Sequence, residues 1–139
     1  MDKKKIIEAL NRGRARELRA VLEYMIYHYM AEGLASPEII DSFKDTAKQE
    51  MTHAEDLGER INYLGGQPTK VPDEFTPARD LKAMLEKSLA LEEQAREMYT
   101  DIIQLCAQEE DPASRLMMEK LLTDEEEHID LWRRTLAGL

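Results

Sequence analysis

Apolar positions along this 139-residue chain are scattered among charged ones and never gather into a long run. The most apolar stretch, from Val21 to Ala35, is broken by Glu23, His28 and Glu32, short of the roughly 20 residues a membrane span requires. Neither sustained alternation nor a cluster of β-branched residues marks a strand. The segments are built instead from Ala, Leu, Glu, Lys, Arg and Met, all strong helix formers, with Gly13 and Gly58 as tolerated interior breaks. Proline supplies the punctuation. Ser36-Pro37, Thr76-Pro77 and Asp111-Pro112 each pair a capping residue with a proline. The side chain can accept a bond from an orphan N–H, and proline at the next position lacks the donor that would go unpaired. With Asp2 as a first cap, the pattern predicts helices over about 3–34, 37–64, 77–109 and 112–137.

The connections set the topology. The links at Ala35-Ser36 and Glu110-Asp111 are short, which forces antiparallel neighbours. The third, about 65–76, holds Gly65-Gly66, Pro68, Pro72 and Phe75. Twelve extended residues reach roughly 35 Å, enough to carry the chain back along a bundle. The expectation is an all-α four-helix bundle over residues 1–139 as one domain, with two antiparallel hairpins joined by a long crossover.

Charge narrows the partners. Asp and Glu number 29 against 19 Lys and Arg, a net −10, so phosphate-rich partners such as nucleic acid or anionic membranes would be repelled. A lone cysteine, Cys106, cannot form an internal disulfide, which fits a reducing cytoplasm. The basic Lys3-Lys4-Lys5 is followed by only Ile6-Ile7 before Glu8, so no secretory leader is expected there.

The histidines carry the chemistry. Two of three follow a glutamate by three residues: Glu50-Met51-Thr52-His53 and Glu125-Glu126-Glu127-His128. On a helix those positions share a face. Glu17 and Glu92 each stand 33 residues before the motif glutamate, on the preceding helix of the same hairpin, and the two triplets are offset by 75. Each helix therefore offers one carboxylate, and two add an imidazole, which is the di-iron or di-manganese arrangement of bundle proteins. With 19 glutamates in the chain, chance would produce this double match on the order of once in a thousand. Solvated glutamates and surface histidines are the bland alternative. Four carboxylates and two divalent ions balance in charge, and hard oxygen donors with two imidazoles suit Fe, Mn or a mixed pair better than structural zinc. Glu50 and Glu125 are expected to bridge, with Glu17 and Glu92 terminal.

These segments resemble the bacterioferritins, within the ferritin-like di-iron superfamily. The resemblance rests on Glu17-Leu18 with Tyr24, on Glu50-Met51-Thr52-His53-Ala54, on Leu89 to Glu92, and on Asp124 to Asp130. It covers the chain to about residue 135. It implies a ferritin-like bundle with ferroxidase activity, in which Fe²⁺ is oxidised by O₂ or H₂O₂, and at least a homodimer. Rubrerythrins add a glutamate three residues after the third-helix ligand; here that residue is Ala95. Bacterioferritins also carry a short fifth helix lining a cage channel. This sequence stops at Leu139, so a dimer or open assembly is expected as readily as a storage cage. Asp124 matches the acid that orients the opposite histidine, His53, whereas Gln49 replaces the acid that would serve His128. Met51 matches the family's haem-ligating methionine, and haem b is a candidate cofactor. Packing is the alternative for Met51, because Lys44 and Lys48 stand where the family places apolar residues.

Tyr24 and Tyr99 each follow a ligand glutamate by seven residues and share its face, as hydrogen-bond donors, electron donors or simply core. His28 reads as a core or interface histidine and Trp132 as packing. Two other functions stay open: a di-iron oxidase or peroxidase that does not store iron, and a redox-silent metal-binding scaffold.

Overall fold

The computed structural model describes residues 1–139 as four helices: α1 (Lys3–Met30), α2 (Pro37–Tyr63), α3 (Leu81–Gln108) and α4 (Pro112–Ala137). Each start is capped by a side-chain oxygen. Asp2 accepts from the Lys5 N–H, Ser36 from Ile39, Asp80 from Ala83 and Asp111 from Ser114. Proline fills the opening turn of α2 and α4, where its missing donor leaves nothing unpaired.

Two expected boundaries move. Helix α1 ends at Met30 rather than residue 34, because a turn follows in which Gly33 takes a left-handed φ of +81°. Thr76-Pro77 does not start α3. The Ala78 N–H, which a Thr76 cap would have needed, is bonded instead to the Tyr27 hydroxyl at 3.2 Å. That pins the segment extended until Asp80 supplies the cap, with its carboxylate 2.9 Å from the Ala83 N–H. Tyr27 is fixed in turn by donating to the buried Glu23 carboxylate at 2.6 Å, and Arg19 donates to the same group at 3.0 Å.

The crossover, residues 64–80, lies along α1 in ascending order. Asn11 donates to the Gln67 carbonyl and accepts from the Thr69 N–H. Arg14 donates to the Thr69 carbonyl, and the Asp73 N–H donates to the Ala15 carbonyl. Arg19 sits over the Phe75 ring, and Tyr27 receives Ala78. The strap therefore starts near the beginning of α1 and delivers the chain to its far end. Consequently α3 runs antiparallel to α1, as the bond from the Asp2 N–H to Glu109 also requires. Helix α4 is antiparallel to α2, with Arg60 bonded to Asp111 and Ser114.

The bundle interior is split. One apolar cluster, including Ile6, Leu10, Leu57, Ile61, Ile102 and Met118, fills the end where α1 begins. Another, with Tyr27, Phe43, Met84, Leu85 and Trp132, fills the opposite end. Between them lies a layer of buried charge. No helix is long and apolar enough to cross a membrane.

Candidate metal centre

That layer holds Glu17, Glu50, His53, Glu92, Glu125 and His128. All four carboxylates are fully buried, and the imidazoles are 3% and 4% exposed. The spacing of 33 works because the short α1–α2 and α3–α4 turns bring Glu17 level with Glu50, and Glu92 level with Glu125. The i, i+3 histidines complete two related halves. The His53 Nδ1 lies 2.9 Å from Glu17 Oε2, 3.1 Å from Glu50 Oε1 and 3.3 Å from Glu125 Oε1. The His128 Nδ1 lies 3.1 Å from Glu92 Oε2, 3.2 Å from Glu125 Oε1 and 3.7 Å from Glu50 Oε1. Glu50 and Glu125 belong to both halves.

The outer nitrogens have unlike partners. His53 Nε2 donates to the Asp124 carboxylate at 2.8 Å, whereas His128 Nε2 donates to the Gln49 amide oxygen. Tyr24 donates its hydroxyl to Glu92 Oε1 at 2.7 Å and accepts from the Trp132 indole N–H at 3.1 Å. Trp132 thus does more than pack. Tyr99 is buried near the layer, but its hydroxyl has no partner. His28 lies outside the centre, with Nδ1 2.8 Å from the Ile40 carbonyl oxygen. Met51 is 46% exposed on the outside of α2, away from the carboxylates, and Lys44 and Lys48 beside it are exposed as well.

One residue of the centre is absent from any motif reading. Arg16 is 2% exposed and inserts its guanidinium among the four carboxylates. Nη1 donates to Glu17 at 2.6 Å, to Glu50 at 2.7 Å and to Glu125, and Nη2 donates to Glu92 at 2.6 Å. The signal was its position: Arg16 falls in register with the buried residues Ile6, Leu10, Gly13, Ala20, Tyr24 and Tyr27, where a free arginine is not tolerated.

The charges respond to one another. Burial alone would lower the imidazole pKa values. For His53 the facing carboxylates of Glu125, Glu17 and Glu50 outweigh burial and hold it well above the ordinary range. For His128, Glu125 and Glu92 push it up to about 11. Burial and the neighbouring Glu125 and Glu50 raise Glu17. Burial also works against an ionised Glu125, yet Arg16 holds it below the usual carboxylate range. Four carboxylates thus face one guanidinium and two imidazoles inside one buried layer.

The donor set fits a pair of divalent cations. Glu17, Glu50, His53 and Glu125 each bring a ligand atom within 4.8 Å of the others, and so do Glu50, Glu92, Glu125 and His128. Glu50 Oε1 and Glu125 Oε1 are buried without a hydrogen-bond donor. Each lies near an imidazole nitrogen but off its N–H direction, so both keep lone pairs for a cation.

A family model for the ferritin-like domain matches residues 7–139. The chain is 31% identical to a bacterioferritin of Desulfovibrio desulfuricans over 91% of its own length and 72% of that protein. It is 32% identical to a bacterial ferritin of Pseudomonas aeruginosa, covering 96% of this chain and 87% of that one. Among solved structures, the Desulfovibrio desulfuricans bacterioferritin superposes with a TM-score of 0.93 at 29% identity, over 97% of this chain and 80% of that one. That work describes its diiron site in different catalytic states. The Rhodobacter capsulatus bacterioferritin, described with a metal-free dinuclear site and a haem iron, gives 0.92 at 29% identity, over 96% and 84%.

Proposed function

This chain belongs to the bacterioferritins of the ferritin-like family, and on that premise we propose that it is a ferroxidase whose buried glutamate–histidine layer binds and oxidises Fe²⁺. The observation that carries the reading is the pair of overlapping ligand groups sharing Glu50 and Glu125. Ferrous iron is the substrate. Two Fe²⁺ ions each give up one electron, and one O₂ takes both together with two protons to form H₂O₂, or one H₂O₂ takes both, again with two protons, to form two waters.

The protein's part is to hold charge and move protons. Glu50 and Glu125, the residues common to both halves, would be the ligands the two ions share, and Glu17 and Glu92 would each hold one ion. His53 and His128 would hold the ions through Nδ1 in its deprotonated form, while Nε2 keeps the proton that it donates to Asp124 or Gln49. That outer bond fixes the tautomer and aims each ring. Tyr24 holds Glu92 from the side opposite His128. Burial of the whole layer between two apolar clusters excludes bulk water, which strengthens every one of these interactions.

Residues 1–139 act as a single ferritin-like domain in a cytoplasmic homo-oligomer that takes Fe²⁺ and either O₂ or H₂O₂, supporting iron storage or detoxification. Mn or a mixed pair suits the same donors. Met51, exposed on α2, is available as a haem ligand, and a Soret band in protein purified without added haem is the observation that assigns it.

The test is anaerobic Fe²⁺ titration followed by O₂, with oligomer mass measured alongside. The expected result is two Fe²⁺ per chain and repeated oxidation at one site. Glu50→Ala and Glu125→Ala, each losing a shared ligand, should abolish the fast oxidation. A folded wild-type protein that binds no Fe²⁺, or binds it without reacting with either oxidant, overturns the reading.

A further inference from the structure

Resting on the metal-binding reading above, one feature of the layer goes beyond it. The four carboxylates divide their oxygens between two sides. Glu17 Oε1, Glu50 Oε2, Glu92 Oε1 and Glu125 Oε2 all accept from Arg16. The second oxygen of each faces an imidazole Nδ1. The imidazole side thus gathers four oxygens and two nitrogens, a sufficient donor set for one cation. A second cation must either share Glu50 Oε1 and Glu125 Oε1 with the first or take oxygens that the guanidinium holds.

We infer that Arg16 is a built-in competitor for one of the two cation places, so that the metal pair loads in two unequal steps, the second coupled to withdrawal of the guanidinium from the carboxylates. Charge counting leads the same way. One divalent ion beside Arg16 and four carboxylates leaves a buried −1, which one proton neutralises. Two divalent ions with Arg16 in place leave a buried +1 with no partner, whereas two ions without it are neutral. The guanidinium also has somewhere to go. Its Nε and the Tyr99 hydroxyl are both buried and unpaired, and its Cζ lies 5.9 Å from the Tyr99 ring centroid. Withdrawal along that ring keeps a cation–π contact and offers the hydroxyl as an acceptor. In the metal-free protein the same arginine is what lets four buried carboxylates converge at all.

Anaerobic titration of the metal-free protein with Co²⁺, followed by visible absorption and calorimetry, tests this. Wild-type protein is expected to bind two Co²⁺ in resolved steps, the second at least about tenfold weaker than the first. Arg16→Leu should strengthen the second step by about tenfold or more, bringing the two together, and should lower the melting temperature of the metal-free protein. Arg16→Lys, which keeps the charge, should keep the separated steps. If Arg16→Leu does not fold without metal, Arg16→Gln is titrated in its place with the same expectation. Equal steps in wild type, or unchanged constants on removing the charge, overturn the role given to Arg16 and leave the two-ion site standing. No Co²⁺ bound by wild type or by either neutral variant removes the metal-binding reading itself, and this proposal with it.

Discussion

The outer nitrogen of His53, on α2, meets the carboxylate of Asp124, on α4, at 2.8 Å. The other half of the centre has no equivalent acid, since His128 meets the Gln49 amide. A carboxylate stabilises positive charge on the ring and raises its basicity as a ligand; an amide oxygen does so less. Gln49→Asp is therefore expected to tighten binding of the ion next to His128, by about tenfold. Asp124→Asn should weaken the ion next to His53 by a similar factor. Calorimetric metal titration checks both, and identical constants in all three proteins would refute the asymmetry.

Tyr24 links Glu92 to Trp132 through one hydroxyl. Tyr24→Phe leaves a buried indole N–H without an acceptor and removes one donor from Glu92. The expected loss of stability is roughly 1–3 kcal/mol, measured by urea unfolding of the metal-free protein. Trp132→Phe, which removes the donor as well as its need for a partner, should be milder when combined with Tyr24→Phe than the two losses summed.

The histidines make the metal-free protein sensitive to base. His128 is raised from the ordinary 6.5 to about 11, so the stability it contributes is fully present below 6.5 and is lost as pH rises towards 11. The melting temperature of the metal-free protein should fall between pH 7 and pH 10, through this group. On the proposed ligation, metal would replace the Nδ1 proton, so the loaded protein should lose this dependence and should release protons as it forms. Thermal melts across that range, with and without Zn²⁺, decide the matter, along with pH change in a weakly buffered titration.

Asp111 works at the end of the bundle where α1 begins, and with the opposite sign. It caps α4, bonds both the N–H and hydroxyl of Ser114, and pairs with Arg60 at 2.8 Å. Burial opposes its ionised form, but Ser114 and Arg60 outweigh burial and lower its pKa below the ordinary 3.8. Its contribution is present above 3.8 and is lost as pH falls through the lowered value. Asp111→Ala should cost about 2 kcal/mol at neutral pH, with the difference from wild type shrinking in strong acid. A chemical denaturation series against pH would show it.

Local chemistry made much of this protein legible without coordinates. Ser36-Pro37 and Asp111-Pro112 start helices where proline and cap agree, because capping involves only groups a few residues apart. The repeated interval of 33 between Glu17 and Glu50, and between Glu92 and Glu125, placed the carboxylates level, since rise per residue is constant in a helix and the turns are short. Thr76-Pro77 misled because Tyr27, about 50 residues earlier in the chain, claims the Ala78 N–H. The bond from Trp132 to Tyr24 joins residues on different hairpins, which no spacing within one helix reports. Arg16 was hidden for a related reason. Its neighbour Glu17 was readable as a candidate ligand, but a cation shared by carboxylates from all four helices exists only once those helices have packed. Helix positions and donor identities are properties of the chain read locally; the sharing of oxygens between Arg16 and the imidazoles is a property of convergence, and the tertiary structure alone decides it.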